Sequence, residues 1–148
     1  MLTFHNEADM IAFGEKLGKA LESHSVITLT GELGAGKTTL TKGIGRGLGI
    51  KKIINSPTFT IVKIYEGDKT LYHFDAYRLE DSDDDLGFEE MIDDDGICVI
   101  EWPMYIEDLL PEERLEIEIR KNEDQSRRII FHPVGERYVK LVEEVCHD

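Results

Sequence analysis

The chain has 148 residues, which suits a single domain spanning 1–148 and leaves too little core for two. Apolar residues make up 41% and charged residues 32%, the composition of a soluble protein with a packed centre; only two cysteines, Cys98 and Cys146, exclude a disulfide framework and point to a reducing cytoplasm. The net charge of −14 argues against a large surface for nucleic acid or anionic membrane, the first seven residues lack the regions of a signal peptide, and no apolar run approaches the ~18 residues that span a bilayer.

Asn6, followed at Asp9 by an acid, reads as a helix N-cap. Met10, Phe13, Leu17 and Leu21 then recur at spacings of three and four, the apolar face of a helix over about 7–22. Val26–Thr30 is β-prone. Residues 31–36 form a glycine-rich turn, and 38–48 read as a second helix with Leu40, Ile44 and Leu48 inward and Gly49 just past its end. Gly43, Gly45 and Gly47 would each weaken that helix by about 1 kcal/mol relative to Ala.

Residues 59–65 and 70–75 flank a short gap with Gly67, which predicts an antiparallel hairpin. The run Ile97–Ile100, ending at Glu101, suits a central strand covered on both faces. Residues 115–120 alternate strictly and pair, across a turn at 122–126, with a strand over 127–132. A terminal helix takes 134–145. One α/β domain with a mixed, partly antiparallel sheet follows. Its charge is uneven: residues 66–118 hold twenty acidic and three basic side chains, densest over 80–95. That stretch reads as a solvated acidic loop or as a docking surface for a basic protein; its spacing fits no EF-hand.

Gly31-Glu32-Leu33-Gly34-Ala35-Gly36-Lys37-Thr38 matches G-x-x-x-x-G-K-T in full, between a predicted strand and a predicted helix. Glycines let backbone N–H groups approach phosphate oxygens, and the following helix adds its positive dipole end. Lys37 would neutralise charge between the β- and γ-phosphates, and the Thr38 hydroxyl would bind Mg²⁺. Such a site needs a further carboxylate at the end of a buried strand. Glu101 follows the more apolar run and is favoured as the metal carboxylate, with Asp75 orienting water or the outer metal shell; either could instead be an exposed strand-end acid.

Ser56-Pro57-Thr58 could place a hydroxyl that senses γ-phosphate, or simply start a strand. Trp102 could pack near a nucleotide or in the core. His73 reads as a core or surface histidine, Arg78 as a phosphate contact or a partner of the acidic run, and Cys98 as a buried small hydrophobe. No N-K-x-D is present for guanine, so ATP is favoured over GTP.

Residues 31–39 (GELGAGKTT), 56–59 (SPTF), 73–79 (HFDAYRL) and 99–103 (VIEWP) together resemble the bacterial TsaE family of ATPases (YjeE/YdiB-like) along nearly the whole chain. The resemblance implies a P-loop NTPase-like three-layer domain that binds ATP and Mg²⁺ and acts with TsaB and TsaD. The family works in forming N6-threonylcarbamoyladenosine at the tRNA adenosine beside the anticodon. By position it makes Gly34 to Thr39 the phosphate-binding stretch, with Thr38 and Glu101 on Mg²⁺, Asp75 in hydrolysis and Thr58 in a switch-like segment. It also puts Trp102 near the nucleotide, and adenine near Asn6, Glu7 and Arg127. The charge agrees: a chain at −14 should not grip tRNA tightly by itself. No arginine finger is evident, so intrinsic turnover should be low, with partners expected to complete the site. A small-molecule kinase and a non-enzymatic nucleotide-sensing switch remain alternatives.

Overall fold

The computed structural model describes residues 2–32, 34–54, 62–76 and 88–146. In chain order these form β1 (Leu2–Phe4), α1 (Glu7–Ala20), β2 (Ser25–Thr30), α2 (Lys37–Gly47), β3 (Val62–Tyr65), β4 (Leu71–Asp75), α3 (Phe88–Asp93) and β5 (Ile97–Glu101). A 3-10 helix (Pro103–Leu109), β6 (Arg114–Lys121), β7 (Arg127–Val134) and α4 (Glu136–Val145) follow.

The strands form one sheet in the order β1-β7-β6-β2-β5-β4-β3. Its centre is parallel, with β2 between β5 and β6, and β4 beside β5. Its flanks are antiparallel: β3 on β4, β7 on β6, and β1 on β7. Chain length between strands explains the split. Short turns fold β3 onto β4 and β6 onto β7, whereas parallel neighbours need a longer crossover.

Side-chain alternation hands each face of the sheet to a different layer. Ile97 and Val99 of β5 join Leu71 of β4 in the larger core, with Leu17 of α1, Leu40 and Ile44 of α2, and Tyr138 of α4. Cys98 and Ile100 point the other way, to a smaller core with Phe74 and Ile92 of α3, against which Leu109 packs. All five β5 residues are buried, as expected of a central strand. Helices, sheet, and a thinner layer of α3 with the 3-10 helix make the three-layer α/β fold.

The cap of α1 takes the predicted form: the Asp9 N–H donates to the Asn6 side-chain oxygen at 2.8 Å. Gly49, with φ +78°, lies just past α2 in the left-handed region. The α2 glycines, which propensity alone counts as a cost, meet close packing. A Cβ on Gly43 would stand 2.3 Å from the Ile11 carbonyl oxygen, and one on Gly18 of α1 2.3 Å from that of Ile44. Only bare backbone lets these helices approach so nearly.

Several boundaries and elements differ from the sequence reading. The last helix starts at Glu136, because Val134 is still paired with Arg114 in the sheet and Gly135 breaks the chain direction at φ +110°. The three-residue β1 is too short to show a pattern. The acidic run contains α3, anchored by buried Ile92, and the 3-10 helix follows a proline start. The predicted strand residues 59–61 lie outside the described residues. Among the described residues no helix is long and apolar enough to cross a membrane.

Candidate functional site

The glycine-rich turn joins the end of β2 to the start of α2, between two elements buried in the core. Gly34 has φ +81° and Gly36 φ +113°, backbone that side chains disfavour. At Gly34 a Cβ would meet nothing within 4 Å, so conformation rather than space demands glycine there. Gly31, Glu32 and Ala35 are in this turn, the Ala35 N–H donating to the Glu32 carbonyl at 3.0 Å; Leu33 lies outside the described residues. Gly36 caps α2 with no side-chain hydrogen bond. Lys37, Thr38 and Thr39 occupy the first turn, where a helix presents unpaired N–H donors to an anion.

Two carboxylates stand at the same end of the sheet. Glu101, last in β5, is in register with Leu29 of β2 on one side and Asp75 of β4 on the other. The strand carrying Glu101 is therefore the immediate neighbour of the strand that feeds the turn. Along β4 and β5 the side facing the larger core runs Leu71, His73, Asp75 and Ile97, Val99, Glu101. Apolar residues give way to polar ones towards the turn.

Lys37 reaches into this end. Its Nζ donates to the Gly31 carbonyl at 2.8 Å and lies 4.3 Å from the centroid of the Trp102 ring. Burial lowers its pKa, and the charges of Glu101 and Asp75 push it back up. The ammonium thus sits in the field of both acids. Trp102 has φ +59°, a conformation uncommon outside glycine, and packs partly buried against the smaller core. It serves both readings: it belongs to a core and it touches the candidate loop lysine.

His73 is fully buried, its Nε2 2.6 Å from Glu101 Oε2. Sequence reasoning placed it only as a core or surface histidine. The usable signal was its spacing, two residues before Asp75 and hence on the same side of β4.

Asn6, Glu7 and Arg127 come together although they are distant in sequence. They line one cavity of about 150 Å³ with Gly34, Gly36 and Thr39. Arg127 donates to the Gly34 carbonyl at 3.3 Å, tying β7 to the turn. Thr58, with Ser56 and Pro57, and Arg78 lie outside the described residues.

The donor set suits a magnesium–phosphate pair. Thr38 and Glu101 offer hard oxygen atoms, and Mg²⁺ is commonly held by one or two protein groups plus substrate phosphates and water. Among the described residues no group of three or more His, Cys, Asp or Glu could hold a metal ion.

Comparison with known proteins gives a consistent placement. Residues 4–129 match the family model described as "Threonylcarbamoyl adenosine biosynthesis protein TsaE". The chain is 54% identical over 125 residues to the tRNA threonylcarbamoyladenosine biosynthesis protein TsaE of Bacillus subtilis, covering 83% of this chain and 79% of that one. It is 44% identical over 123 residues to the protein of the same name from Treponema pallidum, covering 82% and 91%. The crystal structure of Bacillus subtilis YdiB superposes with a TM-score of 0.87 at 41% identity, covering 98% of this chain and 92% of that one. A glycine-rich turn between strand and helix, carboxylates on the neighbouring strands, and these matches agree: the chain belongs to the TsaE family of threonylcarbamoyl adenosine biosynthesis proteins.

Proposed function

We propose that the protein is a Mg²⁺-dependent ATPase of low intrinsic turnover that supports formation of N6-threonylcarbamoyladenosine in tRNA, acting with TsaB and TsaD. The observation that carries the reading is the placement of Lys37 between the turn and the paired acids Asp75 and Glu101.

ATP would seat its phosphates on the backbone N–H groups of residues 34–39, with Lys37 leaving the Gly31 carbonyl to neutralise them. Thr38 and Glu101 would hold Mg²⁺, which supplies charge neutralisation on the phosphates. Asp75, beside Glu101 and outside that pair, would orient the attacking water. The cavity lined by Asn6, Glu7 and Arg127 would take the adenine side of the nucleotide. Thr58 would sense the γ-phosphate. The net charge of −14 favours action through partner proteins over direct tight binding of tRNA.

Reconstitution with TsaB, TsaD, tRNA and labelled ATP tests this. Label should leave as inorganic phosphate; transfer to a small acceptor would instead mark a kinase. Lys37→Ala and Glu101→Ala, each folded by circular dichroism, should abolish ATP-dependent tRNA modification. Full modification by either variant overturns the reading. Unimpaired modification by Asp75→Ala would favour a nucleotide sensor over an ATPase.

A further inference from the structure

His73 is a buried polar residue for which the proposed reaction has no role. It has no exposed surface, and its Nδ1 is buried without a hydrogen-bond partner among the described residues. Among the described residues, its side chain's one polar contact is the 2.6 Å bond to Glu101 Oε2, itself in a nearly buried carboxylate. An apolar side chain of similar size would fill the β4 position without leaving a ring nitrogen unpaired. Packing therefore does not account for histidine here, whereas the contact with Glu101 does.

The two residues are diagonal neighbours on adjacent parallel strands. His73 is level with Val99, and Glu101 is two residues further along β5 on the same face. Both side chains spring from central, paired strands, so neither end of the contact rests on a loop. An ionised carboxylate only accepts hydrogen bonds, so the ring must donate through Nε2–H. That contact occupies Oε2 and restricts rotation of the carboxylate about its last bond.

We propose that His73 is a positioning residue: by holding Oε2 it fixes the Glu101 carboxylate and leaves Oε1 as the oxygen that takes the cation. This rests on the proposed metal role of Glu101. Partners that orient a metal-binding side chain typically change metal affinity by about 10- to 100-fold when removed.

The test uses the full chain with ADP as the nucleotide probe and titrates Mg²⁺. His73→Leu should weaken Mg²⁺ binding to the ADP complex by about 10- to 100-fold, with ADP affinity in EDTA unchanged within twofold. His73→Gln, whose amide N–H can stand near the ring Nε2, should restore binding, and the shorter His73→Asn should not. In the metal-free parent, the His73 Nε2–H proton should appear downfield and exchange slowly by NMR, and Glu101→Ala should remove that signal. This last readout needs no His73 variant to fold. Parent-like Mg²⁺ affinity in His73→Leu or His73→Asn, or a rapidly exchanging His73 N–H, overturns the proposal. If Glu101→Ala weakens Mg²⁺ binding while the His73 variants do not, only the positioning role falls. If Glu101→Ala binds Mg²⁺ as the parent does, the metal role of Glu101 falls, and this proposal with it.

Discussion

The Lys37 ammonium lies 4.3 Å from the centroid of the Trp102 ring while donating to the Gly31 carbonyl. A cation over an aromatic face is attracted by the ring quadrupole. Trp102 is the single tryptophan of the chain, so its emission reports on the surroundings of this one ring, the lysine among them. Lys37→Met should alter the emission of the nucleotide-free protein. Under the proposed role of Lys37, which would carry it to the phosphates, ATP with Mg²⁺ should shift the parent spectrum and should do so far less in the variant. Identical spectra for parent and variant in both states would disprove the contact.

Gly43→Ala tests the approach of α1 to α2. Helix propensity predicts a gain of about 1 kcal/mol. A Cβ 2.3 Å from the Ile11 carbonyl predicts a loss of about 1–3 kcal/mol, as in an overpacked core. Urea denaturation should show the loss. The same variant should weaken ATP binding, since displacing α2 moves the N–H groups of its first turn. A stabilised variant would show that the helices separate freely.

Tyr72 and Asp94 give stability a defined pH range. The Tyr72 hydroxyl donates to the Asp94 carboxylate. That bond raises the Tyr72 pKa from 10.0 to about 12 and holds Asp94 below its usual value. The tyrosine contribution is intact below pH 10 and is lost as pH rises towards 12. The aspartate contribution is present above the ordinary carboxylate range and is lost as pH falls through its lowered value. The Tm difference between parent and Tyr72→Phe should therefore hold from neutral pH to about 10 and shrink at both extremes. A difference constant across the whole range would contradict this.

Burial pushes the Cys98 thiol up to about 12, and also raises Cys146, which is partly exposed. The thiolate is the reactive form. At pH 8 a thiol reagent should label Cys146 slowly and spare Cys98 until the chain is unfolded. Rapid labelling of both in the native state would mean that β5 opens readily.

Much of this architecture is legible in the residues because period and burial agree. Met10, Phe13 and Leu17 repeat as a helix face and are buried as one; Ile97–Ile100 is apolar throughout and covered on both sides. The turn at 31–38 carries its backbone requirements in its glycines. What escapes reading is set by partners distant in sequence. β1 exists through its pairing with β7, and α3 through Ile92 against the sheet. The glycines of α2 look like weaknesses until α1 lies on them. Asn6, Glu7 and Arg127 share a cavity through pairing at the edge of the sheet, which no local pattern reports. His73 looked ordinary because its meaning depends on which residue of β5 stands diagonally opposite.

His73, Asp75 and Glu101 occupy alternate rungs shared with Leu71, Ile97 and Val99. A single residue inserted or deleted inside β4 or β5 would leave the ladder paired but rotate Phe74 or Ile100 into their place. The polar groups would then be presented to the opposite layer, away from Lys37. Length variation among descendants of this chain should therefore gather in turns such as 66–69, while these two five-residue strands keep their count.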